Sequence, residues 1–248
     1  MPYEEFHFFL KDTVRQSVDF SQTRQSLGYP PPAVQKPCEE GARRIALPRP
    51  AEWRAVKDVS VAEAMGRRRS LRKYASAPLS LEELSFLLWA TQGFRDRESD
   101  ARVYRTVPSA GCRHPLETYL AVLRVSGLEK GIYRFLPVEH ALVEVARPES
   151  LEERTAQACL NQPFAGRSAV TFFWSAVPER TEWRYAEASV KVIALDAGHV
   201  CQNLYLACEA IEAGCCAIAA YDQEAADALV GVDGRSEFVI YAAPVGKR

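Results

Sequence analysis

The sequence predicts one α+β layered domain, a sheet packed against helices. Three observations carry that expectation. Apolar runs of strand length are interleaved with helical patterns at uneven spacing, which argues against regular βαβ repeats. The stretch from Asp196 to Ile211 is apolar around most of a helix, so it must be buried in a core or between subunits. The chain has 248 residues, of which 48% are hydrophobic and 25% charged, enough for a globular protein with a sizeable core.

Residues 1 to about 50 read as an arm ahead of a single main domain, residues 51 to 248. Gly28-Tyr-Pro-Pro-Pro-Ala33, continuing to Pro37, and Leu47-Pro-Arg-Pro50 carry prolines that forbid regular helix and favour extended chain. Phe6, Phe8, Phe9, Tyr29, Ile45 and Leu47 are too apolar for a solvated tail. The arm is therefore expected to be ordered, packed on the domain or on a partner subunit. Ser60-Val-Ala-Glu63 and Ser80-Leu-Glu-Glu83 are capping boxes that open two helices. The second places Leu81, Leu84, Leu87 and Leu88 on one face and ends at Gly93. Arg95 to Tyr104 is charged and reads as an exposed loop. Thr118 to Val125 and Ala169 to Ala176 read as buried strands, and Gly131–Phe135 with Ala141–Val145 as a hairpin. Ser150 to Leu160 is helical. In the long helix, Ala197, Gly198, Ala207 and Ala210 would let another backbone approach, and Gly214 is expected to end it as a left-handed cap. Asp222 caps a short helix from Gln223 to Val230, and Phe238 to Ala243 is the last strand.

Charge and motif content exclude several classes. Thirty-one basic against thirty-two acidic side chains, a formal charge of −1, argue against a nucleic-acid or membrane-surface binder. No apolar run approaches the roughly 18 residues of a membrane span. The cysteine count of seven is odd, and Met-Pro-Tyr-Glu-Glu lacks the basic and apolar parts of a secretory signal, so a reducing, cytoplasmic setting is expected. No metal site is expected, since Cys112-x-His114 is the nearest thing to ligand spacing. No Gly-x-Gly-x-x-Gly follows a strand, which removes a Rossmann nucleotide site. Vicinal Cys215 and Cys216 read as small packing residues, His199 as a core histidine and His114 as a loop histidine.

Three segments carry the chemistry. Gly66-Arg-Arg-Arg-Ser-Leu-Arg-Lys-Tyr74 packs five cations into seven positions, and guanidinium forks match phosphate oxygens. Pro108-Ser-Ala-Gly111 makes a tight, small-sided turn whose backbone could lie flat on an aromatic ring. Cys215 to Tyr221 is short, apolar and small-sided, so a flat ligand could approach its backbone N–H groups.

These segments, with Asp196-Ala-Gly-His-Val-x-Gln-Asn-Leu204, resemble the nitroreductase superfamily nearly end to end, most closely its thiazoline/oxazoline-forming (SagB-type) dehydrogenase branch. The resemblance implies a nitroreductase-like three-layer fold, a central mostly antiparallel sheet flanked by helices, in an intertwined homodimer that holds FMN between subunits. It implies that Arg68, Arg69, Ser70 and Arg72 line the FMN, the first arginine at the phosphate and the last at the pyrimidine edge. Pro108, Ser109, Ala110 and Gly111 would contact the flavin of the neighbouring subunit. Ala220, with Ala219, would donate a backbone N–H to flavin N5, and Gln162 would be a flavin or pocket residue. Lys247 and Arg248 either close on the phosphate or are simply solvated.

The implied activity is a ping-pong FMN-dependent oxidoreductase, passing hydride through N5 with NAD(P)H or a small organic substrate. Azoline dehydrogenation of a modified peptide is the alternative within the family. The branch carries a Lys-Tyr pair where this chain has Arg184-Tyr185, and arginine cannot serve as a general base. Tyr185 is then either a proton donor or a tyrosine buried beside the long helix. Alanines at 219 and 220, in place of family glycines, motivate a further alternative, a flavin-binding protein without turnover.

Overall fold

Residues 3–99 and 102–248 are described by the computed structural model. In chain order its strands are β1 (Arg44–Ala46), β2 (Phe94–Ser99), β3 (Arg102–Arg105), β4 (Leu116–Val122), β5 (Gly131–Leu136), β6 (Ala141–Ala146), β7 (Val170–Ala176), β8 (Ala213–Cys215) and β9 (Phe238–Lys247). Its α-helices are α1 (Thr13–Ser17), α2 (Val61–Arg67), α3 (Leu81–Gln92), α4 (Leu151–Ala158), α5 (Pro163–Gly166), α6 (Glu179–Tyr185), α7 (Ser189–Glu209) and α8 (Gln223–Val230). The central sheet runs β1-β6-β5-β4-β7-β9-β8, with every neighbouring pair antiparallel. This is the expected α+β fold, a sheet between helical layers.

Alternation along β7 builds both cores. Phe172 and Trp174 point to the face covered by α3 and α7, while Phe173 points to the face covered by α4, α5 and α8. All seven residues of β7 are buried, so its apolar run is continuous rather than alternating. The α3 capping box forms in both directions, Ser80 Oγ accepting from Glu83 N–H (3.1 Å) and Glu83 accepting from Ser80 N–H (2.9 Å). A cap of this kind contributes about 1 kcal/mol. At α2 only the serine half forms, Ser60 Oγ accepting from Glu63 N–H.

The arm divides. Residues 34–37 are threaded over a buried ionic node. Arg105 donates to Val34 O (2.6 Å), and Arg134 to Lys36 O (2.6 Å) and Pro37 O (2.8 Å). Lys36 N–H donates to Glu117 (2.7 Å), and its ammonium pairs with Glu237 (2.5 Å). Arg180 completes the node on Glu117. Leu47 is buried and Ile45 half-buried, as expected. Phe6, Phe8, Phe9 and Tyr29 are 59%, 51%, 58% and 53% exposed in the single chain, so the domain itself does not cover them.

Three expectations are corrected. The charged segment from Arg95 to Tyr104 is not a loop but part of the β2–β3 hairpin, apart from residues 100 and 101, which lie outside the described residues. Gly214 does not cap α7. The helix ends at Glu209, the turn passes through Glu212 at φ 51°, and Gly214 sits inside β8. Its smallness serves a close approach instead, since a Cβ there would lie 2.8 Å from Leu71 Cδ2. Gly93 does close α3, but with φ −56° rather than in the left-handed region.

Candidate functional site

α7 carries the site along its length. At its C-terminal half, two segments about 145 positions apart in sequence run side by side. Ser70 pairs with Cys215 in a parallel bridge, and Leu71 N–H donates to Cys215 O (2.8 Å). Tyr205 reaches up between them. Its hydroxyl lies 2.9 Å from Ser70 Oγ and accepts from Ala217 N–H at 2.9 Å, while the Arg68 guanidinium stacks 5.2 Å from its ring centre. Further along, Arg72 stands 5.8 Å from the centre of the Phe164 ring. Gln162, two residues before Phe164, donates to Cys159 O (2.9 Å) and Ala220 O (3.1 Å) and so braces the 217–221 loop from behind.

The electrostatics single out which cations are available. Arg67 is matched by Glu63 (2.6 Å) and the buried Glu209 (3.5 Å). Lys247 donates to Glu83 (2.5 Å) and Ile211 O (2.6 Å), and Arg248 pairs with Glu209. Lys247 and Arg248 thus hold the end of β9 to acids of the protein. Among the described residues Arg68, Arg69 and Arg72 meet no carboxylate. Nor do the exposed Ala219 and Ala220 N–H groups donate to any protein acceptor there. A strip of unmatched guanidiniums beside two free backbone donors is an arrangement for an anionic, hydrogen-bonding ligand.

The other half of the expected site lies elsewhere. Pro108–Gly111 is fixed at the N-terminal half of α7, where the buried Asp196 accepts from Ser109 Oγ (2.5 Å) and Ala110 N–H (3.2 Å). Burial holds the Asp196 carboxyl above the usual range, against the lowering effect of those two bonds. Asp196 and Tyr205 are nine positions apart, about 13.5 Å along the helix axis. Tyr185 stands on the Pro108–Gly111 side. A Cβ at Gly111, already at φ 58°, would lie 2.7 Å from Tyr185 Oη and 2.7 Å from Arg184 Cδ, so a larger residue there would be strained and would displace those two side chains. Arg184 lies 5.6 Å over the Tyr185 ring and donates to Gln25 (3.2 Å). Ala186 follows at φ 46°, a strained position that fixes where Tyr185 points. A groove of about 1150 Å³ reaches from Ala219 past Ile193, Ala197 and Tyr241 to Pro32 and Lys36 of the arm.

His114 is a loop histidine as expected, but a buried one, and it braces the same turn, its backbone N–H donating to Ser109 Oγ (2.8 Å) while Nε2 faces Val103 O (2.9 Å). Burial, helped by Arg105, pushes its pKa down to about 3, against an ordinary 6.5. It is neutral in the folded chain. Below pH 6.5 the unfolded chain takes up a proton that the folded chain refuses until about pH 3, so stability falls with acidification across that window. Urea unfolding at pH 5 is expected to give about 2 kcal/mol less than at pH 6.5 from this group, a difference that His114→Gln removes. His199, read as a core residue, is instead exposed, 4.0 Å from Asp196. Cys215 and Cys216 are buried packing residues.

Sequence reasoning missed Tyr205, Asp196 and Phe164. Asp196 had a visible signal, a carboxylate on an otherwise apolar helix face. Tyr205 had none, because a tyrosine in such a face reads as one more hydrophobe.

Fold and site together define an oxidoreductase of nitroreductase type. The chain belongs to the Nitroreductase family, whose model matches residues 65–247. It is 33% identical over 194 residues to the nitroreductase candidate MJ1384 of Methanocaldococcus jannaschii, a match covering 78% of this chain and 93% of that one. It is 32% identical over 107 residues to the trifolitoxin-processing protein TfxB of Rhizobium leguminosarum bv. trifolii, covering 42% of this chain but only 29% of that relative. Among solved structures it resembles a nitroreductase candidate from Ralstonia eutropha (TM-score 0.67, 24% identity, 86% of this chain and 93% of that one). It also resembles a chain of the Escherichia coli microcin synthetase McbBCD complex with truncated pro-MccB17 bound (TM-score 0.62, 20% identity, 82% and 77%). These relatives are consistent with the SagB-type branch.

Proposed function

We propose that the protein is an FMN-dependent oxidoreductase in which Arg68, Arg69, Ser70 and Arg72 hold the phosphate side of the flavin, and Ala219 and Ala220 meet its ring. The observation that supports this most is the meeting of two distant segments, one offering unmatched guanidiniums and the other free backbone N–H groups. FMN, when bound, would supply reversible hydride acceptance at its ring. The chain's own residues bind, orient and exclude. Arginines neutralise the phosphate, the 219–220 N–H groups fix the reactive edge, and Gln162 keeps their loop in place.

A second copy supplies the missing half in this reading. Pro108–Gly111 and Tyr185 stand too far along α7 to join the strip in one chain. Val190, Leu195 and Gly198 are exposed on the same helix, and nothing lies within 4 Å of a Cβ built on Gly198. A partner's helix could pack there, bringing its own turn to this flavin. The arm, residues 1–50, belongs to the same homodimeric unit. Lys247 and Arg248 serve the strand end rather than the phosphate.

The test is steady-state oxidation of NADH and NADPH with a quinone or a nitroarene as acceptor. Turnover well above that of free FMN is expected. A rate no higher than free FMN would contradict the oxidoreductase reading and leave a flavin-binding protein without turnover. The groove beside Ala219 favours one further reading, oxidation of an azoline in a modified peptide, since it has room for an extended apolar segment. The likeness to McbBCD and TfxB supports it. Of the Arg184-Tyr185 pair, which stands against Gly111, the arginine can hold an anion but cannot take a proton, which leaves Tyr185 as the proton-bearing group in this reading.

A further inference from the structure

We propose that Tyr205 directs a hydrogen-bond relay that aims the Ser70 hydroxyl proton at the phosphate of the bound flavin. The inference rests on the FMN reading above. Ala217 N–H can only donate, and its acceptor is Tyr205 Oη at 2.9 Å. Tyr205 must then send its own proton elsewhere, and Ser70 Oγ stands 2.9 Å away. In the proposed relay Ser70 accepts that bond, which leaves its own proton for a third group. Apart from Tyr205, Ser70 Oγ meets no hydrogen-bond partner among the described residues, and a nearby thiol such as Cys216 would be a weak acceptor. A phosphate oxygen is far stronger, and Ser70 is exposed between the unmatched Arg69 and Arg72. The Tyr205 ring also carries the Arg68 guanidinium at 5.2 Å. One side chain of α7 therefore fixes the phosphate strip, the 217–221 loop and the direction of a donor between them. Tyr205 is a positioning residue.

The experiment compares FMN with riboflavin, the same ring without phosphate, by quenching of flavin fluorescence. Tyr205→Phe keeps the ring under Arg68 and removes only the hydroxyl. It is expected to weaken FMN about fivefold to tenfold and to leave riboflavin within about twofold. Ser70→Ala should behave the same way, and the double variant should bind FMN within about twofold of Ser70→Ala alone. If Tyr205→Phe does not fold, Ser70→Ala still has to separate the two flavins. Equal losses for FMN and riboflavin, an unchanged FMN affinity in Tyr205→Phe, or fully additive variants would each overturn the relay while the FMN reading stands. A wild-type protein that binds neither flavin overturns both.

Discussion

Glu117→Gln is expected to lower the stability of the fold by about 3–5 kcal/mol, the cost of leaving buried cations without their counter-charge. Glu117 lies on β4 and is 3% exposed, and its partners Arg134 and Arg180 are 4% and 3% exposed. Its carboxylate also accepts from Lys36 N–H, so the same residue pins the arm to the sheet. Burial by itself would push this carboxyl up. Arg180, Arg134 and the Lys36 N–H more than reverse that, and it stays below its ordinary 4.5. A depressed folded value means the contribution is whole above pH 4.5 and is lost only as pH falls through the folded value. Acid therefore acts on this node only below pH 4.5, whereas His114 already loses stability from pH 6.5 downward. Urea midpoints of the wild type and Glu117→Gln at pH 7 check the claim, and a change below about 1 kcal/mol would remove the node from the account of stability.

Arg68→Ala is expected to weaken FMN binding about tenfold to a hundredfold, the range for a charge-assisted hydrogen bond lost from an anion. Arg68 is half-buried at the end of α2, immobilised against the Tyr205 ring and unmatched by any described carboxylate. Arg67, one position earlier, is the control. Its charge is already met by Glu63 and Glu209, so Arg67→Ala should change the FMN affinity by much less. Flavin fluorescence titrations of the two variants check the contrast. Equal losses would mean that only the net charge of the strip matters, not the position of Arg68.

Much of this was legible before any coordinates, for physical reasons that also explain the failures. β7 announced itself because both of its faces are covered, which leaves an unbroken apolar run. The Arg67–Lys73 strip and the 217–221 loop were legible as chemistry, five cations in seven positions and a small-sided turn, although nothing local says they touch. The β2–β3 hairpin was hidden because β2 is exposed along nearly its whole length and β3 buries only Val103 and the charged Arg105. With one apolar and one charged residue on the buried face there is no period-2 apolar signal. Gly214 misled because a glycine that admits Leu71 and a glycine that caps a helix look the same in sequence. The ionic node was invisible for another reason. Glu117 sits in a strand where a carboxylate usually means solvent, and its partners Lys36, Arg134 and Arg180 are scattered through the chain. Tyr205 is the sharpest case, since its packing was foreseeable and its hydroxyl's two partners were not.

The central claim is that the paired segments on α7 hold FMN. Its most direct test is to mix the purified protein with excess FMN, pass it through a desalting column and record the visible spectrum. The account predicts retained flavin absorption at about one FMN per chain. Protein that emerges without flavin at every FMN concentration tried would contradict it.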